Sequence, residues 1–343
     1  MRRPRAAVIG LAGAGEEYLS ALRDDGGYEL VAIADVNPEL LRRHADDASI
    51  RLYEDYRSLI VERSSTGLDI MFVTLEPFQS LEFMDLTASH GINVFHKAPF
   101  ARNVEEARRL AALFDANGCK LLVSRTWQYE HAFSGLTGAS ELVKRVDVVT
   151  ATVQTTDRPS GWRGDCRRAG GGVLLNGAYE QLDMIVSLLG VPESVHAHCS
   201  AIVAPGAVRN YDTEDAALLL LDFRDQRVGS LTAWRGAPRA GWNATLVAAE
   251  ATIELCDDRM TVLHAEVDGA SDTAPRNARR RRSPTGTRGA LATMVGAVRD
   301  GMSAGTCSHS SSAADHLNTL AVIEAAYLSA KTASPEAAAQ FLS

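Results

Sequence analysis

The most restrictive feature of the sequence is its opening strand, turn and helix. The apolar run Ala6–Ala7–Val8–Ile9 leads into a glycine-rich turn at residues 10–15, and a helical pattern follows. A buried strand ending in such a turn is typical of the first βα unit of a doubly wound sheet, where a helix N-terminus offers free N–H groups to a pyrophosphate. Against the spacing G-x-G-x-x-G, Ala12 replaces the middle glycine and Gly13 is an extra one. We expect the dinucleotide contacts to come from Gly10, Ala12, Gly13, Ala14 and Gly15.

The second predicted strand, Glu29–Ala34, ends in the acidic residue Asp35, about 25 residues after Gly10. That is near the spacing of a ribose-binding acid. Its carboxylate is expected to accept hydrogen bonds from the adenosine ribose and to repel a 2′-phosphate, which favours NAD over NADP. NADP stays open as an alternative, because arginines outside this turn could take the phosphate. Asp35 could instead cap the next helix, but Asn37 and Pro38 already supply an N-cap and a first helical position.

Strands and helices then alternate as far as residue 125. This rhythm indicates a parallel sheet with right-handed crossovers, so residues 1–125 are predicted to form an α/β Rossmann domain. The predicted helices are Pro38–Asp46, Tyr53–Arg63, Gln79–Ser89 and Val104–Ala116, and the predicted strands include Asp69–Thr74, the stretch Gly91–Phe100 and Lys120–Ser124.

The pattern changes after this point, and residues 126–343 are predicted to form an α+β substrate and oligomerisation domain. Its strands follow one another directly, which indicates an open, mainly antiparallel sheet. A free sheet face could hold a second subunit, so we expect a homodimer or homotetramer. The last helices, Gly289–Gly301 and Ser312–Thr332, are expected to pack back on the rest. The predicted strands are Val146–Gln154, Ser194–Val203, Asp215–Phe223, Arg227–Trp234, Ala244–Ala249, Thr252–Cys256 and Arg259–Val267.

Composition excludes several classes of partner. The net charge of 35 − 43 = −8 argues against a general nucleic-acid surface. The basic run Arg279–Arg282 is interpreted as part of a solvated loop, with a polyanion contact as the alternative. The five scattered cysteines lack metal-ligand spacing and favour a reduced cytoplasm, with no metal site. No apolar run reaches membrane-spanning length.

One strand ends abruptly on polar residues, in the stretch Phe95–His96–Lys97–Ala98–Pro99. Proline cannot continue a central strand, because it lacks the N–H that the ladder needs. Such an ending suits the carboxyl edge of a parallel sheet, where α/β proteins bind their ligands. Lys97 is therefore a candidate catalytic or cofactor-contacting group, and the alternative is a surface cation.

Taken together, these features resemble the Gfo/Idh/MocA oxidoreductase family, named for glucose–fructose oxidoreductase and inositol dehydrogenase. The resemblance spans nearly the whole chain, and it implies a nicotinamide cofactor and hydride transfer with a sugar, cyclitol or related polyol. It also implies cofactor contacts from Thr74 and Leu75. Besides the features above, it rests on Gly170–Leu175, on Asp183, on Glu214–Ala217 and on Gly229–Ala233.

The residues that carry the family's chemistry depart from its pattern at three places. The family strand ends Glu-Lys-Pro, whereas this chain has Lys97–Ala98–Pro99, so the lysine lies one residue early. The family's Asp-x-Gly-x-His becomes Asn176–Glu180, with Asn176 for the aspartate and Glu180 for the histidine. Its Thr-Pro followed by a helix-start histidine becomes the segment Leu75–Ser80.

Glu180 could be the base for the hydroxyl proton, because a carboxylate in a closed cleft can have its pKa raised toward neutrality. Tyr179 could donate a proton, Asn176 could hold a sugar hydroxyl, and Lys97 could pair with Glu180 or neutralise an alkoxide. The alternatives are an exposed helix residue for Glu180 and a packing residue for Tyr179. By the resemblance, Arg125, Gln128, Trp162 and Arg163 are expected to line the substrate cleft.

Three functions remain open at this stage. The first is an NAD-dependent oxidoreductase acting on a sugar, amino sugar, sugar nucleotide or cyclitol, with an atypical site suited to a specialised biosynthetic step. The second is an enzyme that oxidises its substrate only transiently, with elimination or epimerisation before the hydride returns. The third is a redox-silent binding protein that kept the fold.

Overall fold

A computed structural model describes residues 2–130, 143–202, 209–256, 259–264, 281–282, 286–304 and 311–343. The chain forms two compact units. The first comprises residues 1–126 and 287–316, and the second comprises residues 127–286 and 317–343.

The first unit contains a parallel sheet with one short antiparallel strand at its edge. The order of the parallel strands, β6-β5-β4-β1-β2-β3, reverses direction between β1 and β4, which is the doubly wound arrangement. The edge strand, Ser311–Ser312, pairs antiparallel with β6. This confirms the predicted parallel-sheet domain. The parallel strands are β1 (Arg5–Ile9), β2 (Glu29–Ala34), β3 (Arg51–Tyr53), β4 (Ile70–Val73), β5 (Asn93–His96) and β6 (Leu121–Val123).

Several helices of this unit begin after a polar N-cap residue. The side chain of Asn37 accepts a hydrogen bond from the Glu39 N–H, and Pro38 is the first helical residue, as predicted. Asn103 caps its helix in the same way through the Glu106 N–H. The helices are α1 (Ala14–Asp25), α2 (Pro38–Arg42), α3 (Tyr56–Val61), α4 (Arg63–Thr66), α5 (Pro77–Ser89) and α6 (Val104–Ala116).

A late segment of the chain completes the first unit. Most of the helix Gly286–Ala304 belongs to it. The Tyr28 hydroxyl donates to the backbone oxygen of Val295 at 3.0 Å, and Arg299 pairs with Asp25 at 2.5 Å. Residues 287–316 are thus an integral part of the unit that the first 126 residues begin.

The second unit is built on an eight-stranded sheet in the order β14-β13-β12-β11-β7-β10-β9-β8. Neighbouring strands are antiparallel except β7 and β10, which are parallel. This confirms the predicted open, mainly antiparallel sheet. The strands are β7 (Val146–Gln154), β8 (Ser194–Ser200), β9 (Ala216–Asp222), β10 (Val228–Trp234), β11 (Gly241–Ala248), β12 (Ala251–Cys256), β13 (Arg259–His264) and β14 (Arg281–Arg282).

One face of this sheet is packed and the other is open. Along β9, Ala217, Leu219 and Leu221 are buried and alternate with exposed residues. The packed face is covered by α-helical segments, among them Leu317–Thr332, which packs on β8. Within the described part of this unit, the other α-helices are α7 (Cys166–Ala169), α8 (Val173–Gly177) and α9 (Tyr179–Leu189).

Some predictions fall outside the described residues, namely Arg279 and Arg280 of the basic run, Cys307, and the predicted strand ends at Val203 and Val267. Within the described ranges, no helix is both long and apolar enough to cross a membrane.

Candidate functional site

The glycine turn after β1 leaves an open cradle in the first unit. Gly10 has φ of +85°, and a Cβ there would lie 2.7 Å from Leu75 Cδ2. A Cβ on Gly15 would lie 2.0 Å from the Gly10 carbonyl oxygen, so α1 can begin this close to β1 only with glycine. Gly13 has φ of +57° and nothing within 4 Å of its Cβ position. Backbone N–H groups at the α1 N-terminus, with open space in front of them, fit a pyrophosphate.

Asp35 is a buried carboxylate at the end of β2. Its Oδ2 accepts the Leu11 N–H at 2.6 Å, and its Oδ1 accepts the Asn37 N–H at 2.8 Å. It therefore ties the glycine turn to the β2 end and does not cap α2, whose N-cap is Asn37. A carboxylate has about four acceptor positions, so two remain for ribose hydroxyls. The turn and this carboxylate together fit a dinucleotide.

Thr74 and Leu75 follow β4 and contact the glycine turn. The Thr74 hydroxyl lies 2.7 Å from the Gly10 carbonyl oxygen, and both residues are buried. The next residue, Glu76, precedes α5, and its N–H donates to the Gln79 side chain at 3.3 Å. The two residues after β4 therefore contact the glycine turn, and the carboxylate of Glu76 follows them directly in the chain.

Lys97 pairs with Glu76. The Lys97 ammonium donates to Glu76 Oε1 at 3.2 Å, and the side chains are 28% and 16% exposed. Since Val73 of β4 and His96 of β5 are in register, the pair joins the carboxyl ends of two neighbouring parallel strands. This is the edge at which ligands bind in such sheets.

Hydrogen bonds hold the backbone that carries Lys97. The Lys97 N–H donates to the Val73 carbonyl oxygen, and the Ala98 N–H donates to Ser124 Oγ, both at 2.8 Å. His96 Nδ1 lies 2.6 Å from the Lys97 carbonyl oxygen. Burial lowers the pKa of His96 to about 4, so the ring is neutral near pH 7. Because a carbonyl can only accept, Nδ1 carries the proton, and Nε2 accepts from the Ser80 hydroxyl at 2.9 Å.

In the second unit, a glycine-rich turn is braced by Glu214. Its carboxylate accepts the Gly172 N–H at 2.6 Å, the Leu174 N–H at 2.9 Å and the Tyr327 O–H at 2.9 Å. A Cβ on Gly172 would lie 2.0 Å from the Glu214 carbonyl oxygen, which accounts for glycine there. Burial raises the pKa of Glu214.

Asn176 lies in α8 and bonds back to the same turn. Its amide nitrogen donates to the Gly171 carbonyl oxygen at 2.8 Å and lies 3.3 Å from that of Ala169. Its Oδ1 is buried and accepts no hydrogen bond from the residues that the structure describes. An aspartate at this position would face carbonyl oxygens without a proton to donate, so the turn itself favours asparagine. Its predicted catalytic and substrate-binding roles remain predictions.

Glu180 lies in the first turn of α9 and lines a small cleft within the second unit. The cleft combines carboxyl groups with aromatic walls, and its residues are Trp127, Glu130, Glu180, Gln181, Met184 and Trp242. The wall residue Trp127 is fixed by Asp183, whose Oδ2 accepts the indole N–H at 2.9 Å. Asp183 is buried and also accepts the Thr319 hydroxyl at 2.7 Å. Carboxylates between aromatic faces can bind a sugar by hydrogen bonding and stacking.

The other predicted site residues are spread over the two units. Tyr179 is buried, with 3% of its surface exposed, which is typical of a packing residue. Arg125 in the first unit donates to the Asp315 carbonyl oxygen at 3.1 Å. In the second unit Gln128 is exposed, and the Arg163 guanidinium lies 4.5 Å from the centre of the Trp162 ring. Their substrate-binding roles remain predictions.

Sequence reasoning had assigned no role to Glu76, His96 or Glu214. Glu76 had been noted only as a departure from a pattern, and its contact with Lys97 depends on which strands are neighbours. The signal for Glu214 was its place beside Asp215 in a recognisable hairpin, but its bonds reach residues some 40 positions away.

Comparison with protein families matches both units. Residues 4–125 match the model described as "Oxidoreductase family, NAD-binding Rossmann fold", and residues 142–254 match the GFO/IDH/MocA C-terminal domain. The first unit is therefore an NAD-binding Rossmann domain, in agreement with the cradle and Asp35.

Two curated proteins and a solved structure are among the relatives. D-apiose dehydrogenase of Paraburkholderia graminis is 27% identical over 40% of this chain and 36% of its own length. A protein of Amycolatopsis mediterranei named for the oxidoreductase subunit of UDP-kanosamine synthase is 28% identical over 54% of this chain and 52% of its own. The matches thus span about a third and about half of these relatives. Levoglucosan dehydrogenase with NADH and L-sorbose has the same fold, with a TM-score of 0.85, 20% identity, and coverage of 99% of this chain and 100% of its own.

Proposed function

Because the chain belongs to the GFO/IDH/MocA family of oxidoreductases, we propose that it is an NAD-dependent enzyme that transfers hydride to or from a sugar. The substrate class includes amino sugars, sugar nucleotides and cyclitols, as an alcohol or a ketone. The observation that carries this proposal is the cradle of Gly10, Gly13 and Gly15 beside Asp35. The D-apiose and UDP-kanosamine names of two relatives support a sugar as substrate.

Glu180 is the proton acceptor in this scheme. NAD, when bound, supplies the site that takes the hydride from the carbon of the alcohol. A base must remove the hydroxyl proton, and a carboxylate within hydrogen-bonding reach can do so. Glu180 lines a small cleft beside Trp127 and Trp242, and a sugar hydroxyl at the mouth of this cleft could face the carboxylate. In the reverse direction the protonated Glu180 returns the proton to the ketone oxygen.

Lys97 is the cationic group of the scheme. Its ammonium can donate a hydrogen bond to the reacting oxygen and stabilise the charge that develops there. The side chains of Trp162 and Arg163, which are stacked on one another, are proposed to contact the polar substrate. Such an altered set of groups suits a specialised biosynthetic step.

The first experiment asks whether the protein binds a nicotinamide cofactor. NADH fluorescence and thermal-shift measurements test this binding. We expect NAD and NADH to bind more tightly than NADP and NADPH, because Asp35 repels a 2′-phosphate. Absorbance of the reduced nicotinamide is then followed with a panel of sugars, amino sugars, nucleotide sugars and cyclitols. Binding without any turnover would favour the redox-silent protein, and turnover of substrate without net absorbance change would favour internal return of the hydride.

The second experiment tests Glu180. We expect Glu180→Gln to lower kcat at least about a hundredfold, the usual contribution of a general base, without weakening NADH binding. Glu193→Gln is the matched control, since Glu193 pairs with Arg224 on the surface, and it should leave kcat unchanged. If the Glu180→Gln variant had the wild-type kcat, Glu180 would not be the proton acceptor.

We further propose that the open face of the second sheet joins two or four copies of the chain in the cytoplasm. Several apolar side chains stand on this face. Leu218 and Leu220 of β9 are 49% and 62% exposed, and Val228 and Val247 lie on the same face by register. An apolar face of this kind is typical of an interface. Light scattering should give a dimer or tetramer, and Leu220→Asp should give a monomer.

A further inference from the structure

The sheet order fixes the direction in which a bound dinucleotide runs. Asp35 follows β2, and the glycine cradle follows β1, so the adenosine ribose and the pyrophosphate of a bound dinucleotide would occupy the carboxyl ends of these two strands. In the strand order β5-β4-β1-β2, β4 and then β5 lie on the side of β1 away from β2. The nicotinamide end of the cofactor is therefore directed toward the carboxyl ends of β4 and β5.

Glu76 and Lys97 are the charged residues at those two ends, and they form one ion pair. Thr74 and Leu75, the two residues before Glu76, touch the cradle, so the pair is continuous with the cofactor site. Both side chains are largely shielded from water, so their charges act over a longer range than surface charges do.

The pair is not needed to hold the backbone around Lys97, and at the start of α5 the Glu76 N–H is bound by the Gln79 side chain. The peptide groups around Lys97 are bound by Val73, His96 and Ser124. What Glu76 changes is the orientation and the net charge that Lys97 presents at this edge.

We propose that Glu76 is a specificity-determining residue that cancels the charge of Lys97 beside the nicotinamide and so permits binding of the oxidised cofactor. The nicotinamide ring is a cation in NAD⁺ and neutral in NADH. An uncompensated lysine would repel NAD⁺ and leave NADH unaffected, which would oppose oxidation of an alcohol. With Glu76 in place, the edge carries no net charge, while Lys97 still has two N–H groups to donate to a substrate or cofactor oxygen.

The test is the ratio of the Kd for NAD⁺ to the Kd for NADH, measured by calorimetry or fluorescence on the full chain. Glu76→Gln should raise this ratio about fivefold, the order expected for one uncompensated charge in a partly shielded site. Lys97→Met should lower it by a similar factor, because Glu76 then attracts the cationic ring. The double variant E76Q/K97M should return to the wild-type ratio. A purely structural role of the pair would not give shifts of opposite sign that cancel.

The control is another ion pair of the same sheet. Arg5 and Glu29 pair at 2.9 Å at the opposite, amino edge, where strands β1 and β2 begin. Glu29→Gln should leave the Kd ratio unchanged. Glu76→Asp and Lys97→Arg keep the charges and serve as second variants if either first variant does not fold, and they should keep the wild-type ratio.

The inference rests on the proposed function, and the two fail differently. If the wild-type chain bound neither NAD⁺ nor NADH, the proposed function would fall. If it bound both, but Glu76→Gln and Lys97→Met shifted the ratio in the same direction or by less than about twofold, only the role of Glu76 would be overturned.

Discussion

Arg235 and Asp215 form an ion pair that is almost completely removed from water. Arg235 Nε donates to Asp215 Oδ1 at 2.6 Å, and the side chains are 3% and 5% exposed. The second Asp215 oxygen accepts the Tyr211 hydroxyl and the Ile202 N–H. Arg235 also donates to the carbonyl and hydroxyl oxygens of Thr213. These polar contacts of the pair all lie inside the second unit.

We predict that Asp215→Ala lowers the free energy of unfolding by about 3–5 kcal/mol, because it leaves a buried guanidinium without its counter-charge. Chemical denaturation measures the change. The matched control is Glu193→Ala, which breaks the exposed pair with Arg224 and should cost less than about 1 kcal/mol. Equal losses in the two variants would contradict the buried pair as a source of stability.

Stability should fall in mild acid because of His96. The folded-state pKa of His96 is lowered to about 4 by burial, below the ordinary 6.5, so the unfolded chain takes up a proton first as pH falls. Its contribution is complete above pH 6.5 and is lost between there and about pH 4, by about 3 kcal/mol in all. The raised pKa of Glu214 acts in the opposite sense, favouring the folded state toward low pH.

The difference between wild type and His96→Gln isolates this effect. The free energy of unfolding of the variant, followed from pH 7.5 to 4, should decline less steeply than that of the wild type. Parallel curves for the wild type and His96→Gln would contradict a neutral, buried His96.

Gly13 and Gly26 lie at the two ends of α1, both with positive φ and with open space at the Cβ position. An alanine at either should cost about 1–3 kcal/mol of stability through backbone strain. Only Gly13→Ala should also weaken NADH binding, by at least about tenfold, because its methyl group enters the pyrophosphate cradle. Fluorescence titration with NADH compares the two variants. Unaltered affinity in Gly13→Ala would place the cofactor elsewhere.

Replacing Asn176 by the aspartate of the family pattern should destabilise the protein. The carboxylate would lose the donor to Gly171 and face carbonyl oxygens, which we expect to cost about 1–3 kcal/mol. Asn117 makes the same kind of bond to the Leu113 carbonyl oxygen on the surface, and Asn117→Asp should cost far less. The melting temperatures of the two variants are compared with that of the wild type. An Asn176→Asp variant more stable than the wild type would contradict a stabilising bond from Asn176 to Gly171.

The helices and strands were predictable where a long segment has a regular apolar pattern. The strand Glu29–Ala34 and the helix Val104–Ala116 have the predicted bounds, because burial on one or both faces leaves a clear period in sequence. The strand Arg51–Tyr53 was missed and its last residue was assigned to a helix. Three residues, two of them exposed, leave no period, and only pairing with β2 makes them a strand.

The candidate site was less predictable, for a related reason. Asp35 stands at a fixed distance from the glycine turn within one βα unit, so spacing alone identified it. Lys97 could be placed at a sheet edge, but the partner suggested for it was Glu180, whereas its ammonium pairs with Glu76. Glu76 is 21 residues away, and only the adjacency of β4 and β5 brings the two charges together. Contacts that depend on strand order lie beyond what one sequence reveals.

The return of residues 287–316 to the first unit has a consequence for biogenesis. A ribosome releases residues 1–126 before residues 287–316, so the first piece lacks the edge strand Ser311–Ser312 and the helix that contacts Tyr28 and Asp25 until residues 127–286 have also emerged. The second unit lies between the two pieces in the chain. Folding during translation therefore cannot proceed one domain after the other, and a fragment ending at residue 126 would be an unfinished domain. Joining residues 287–316 to the start of such a fragment would be the way to make it self-sufficient.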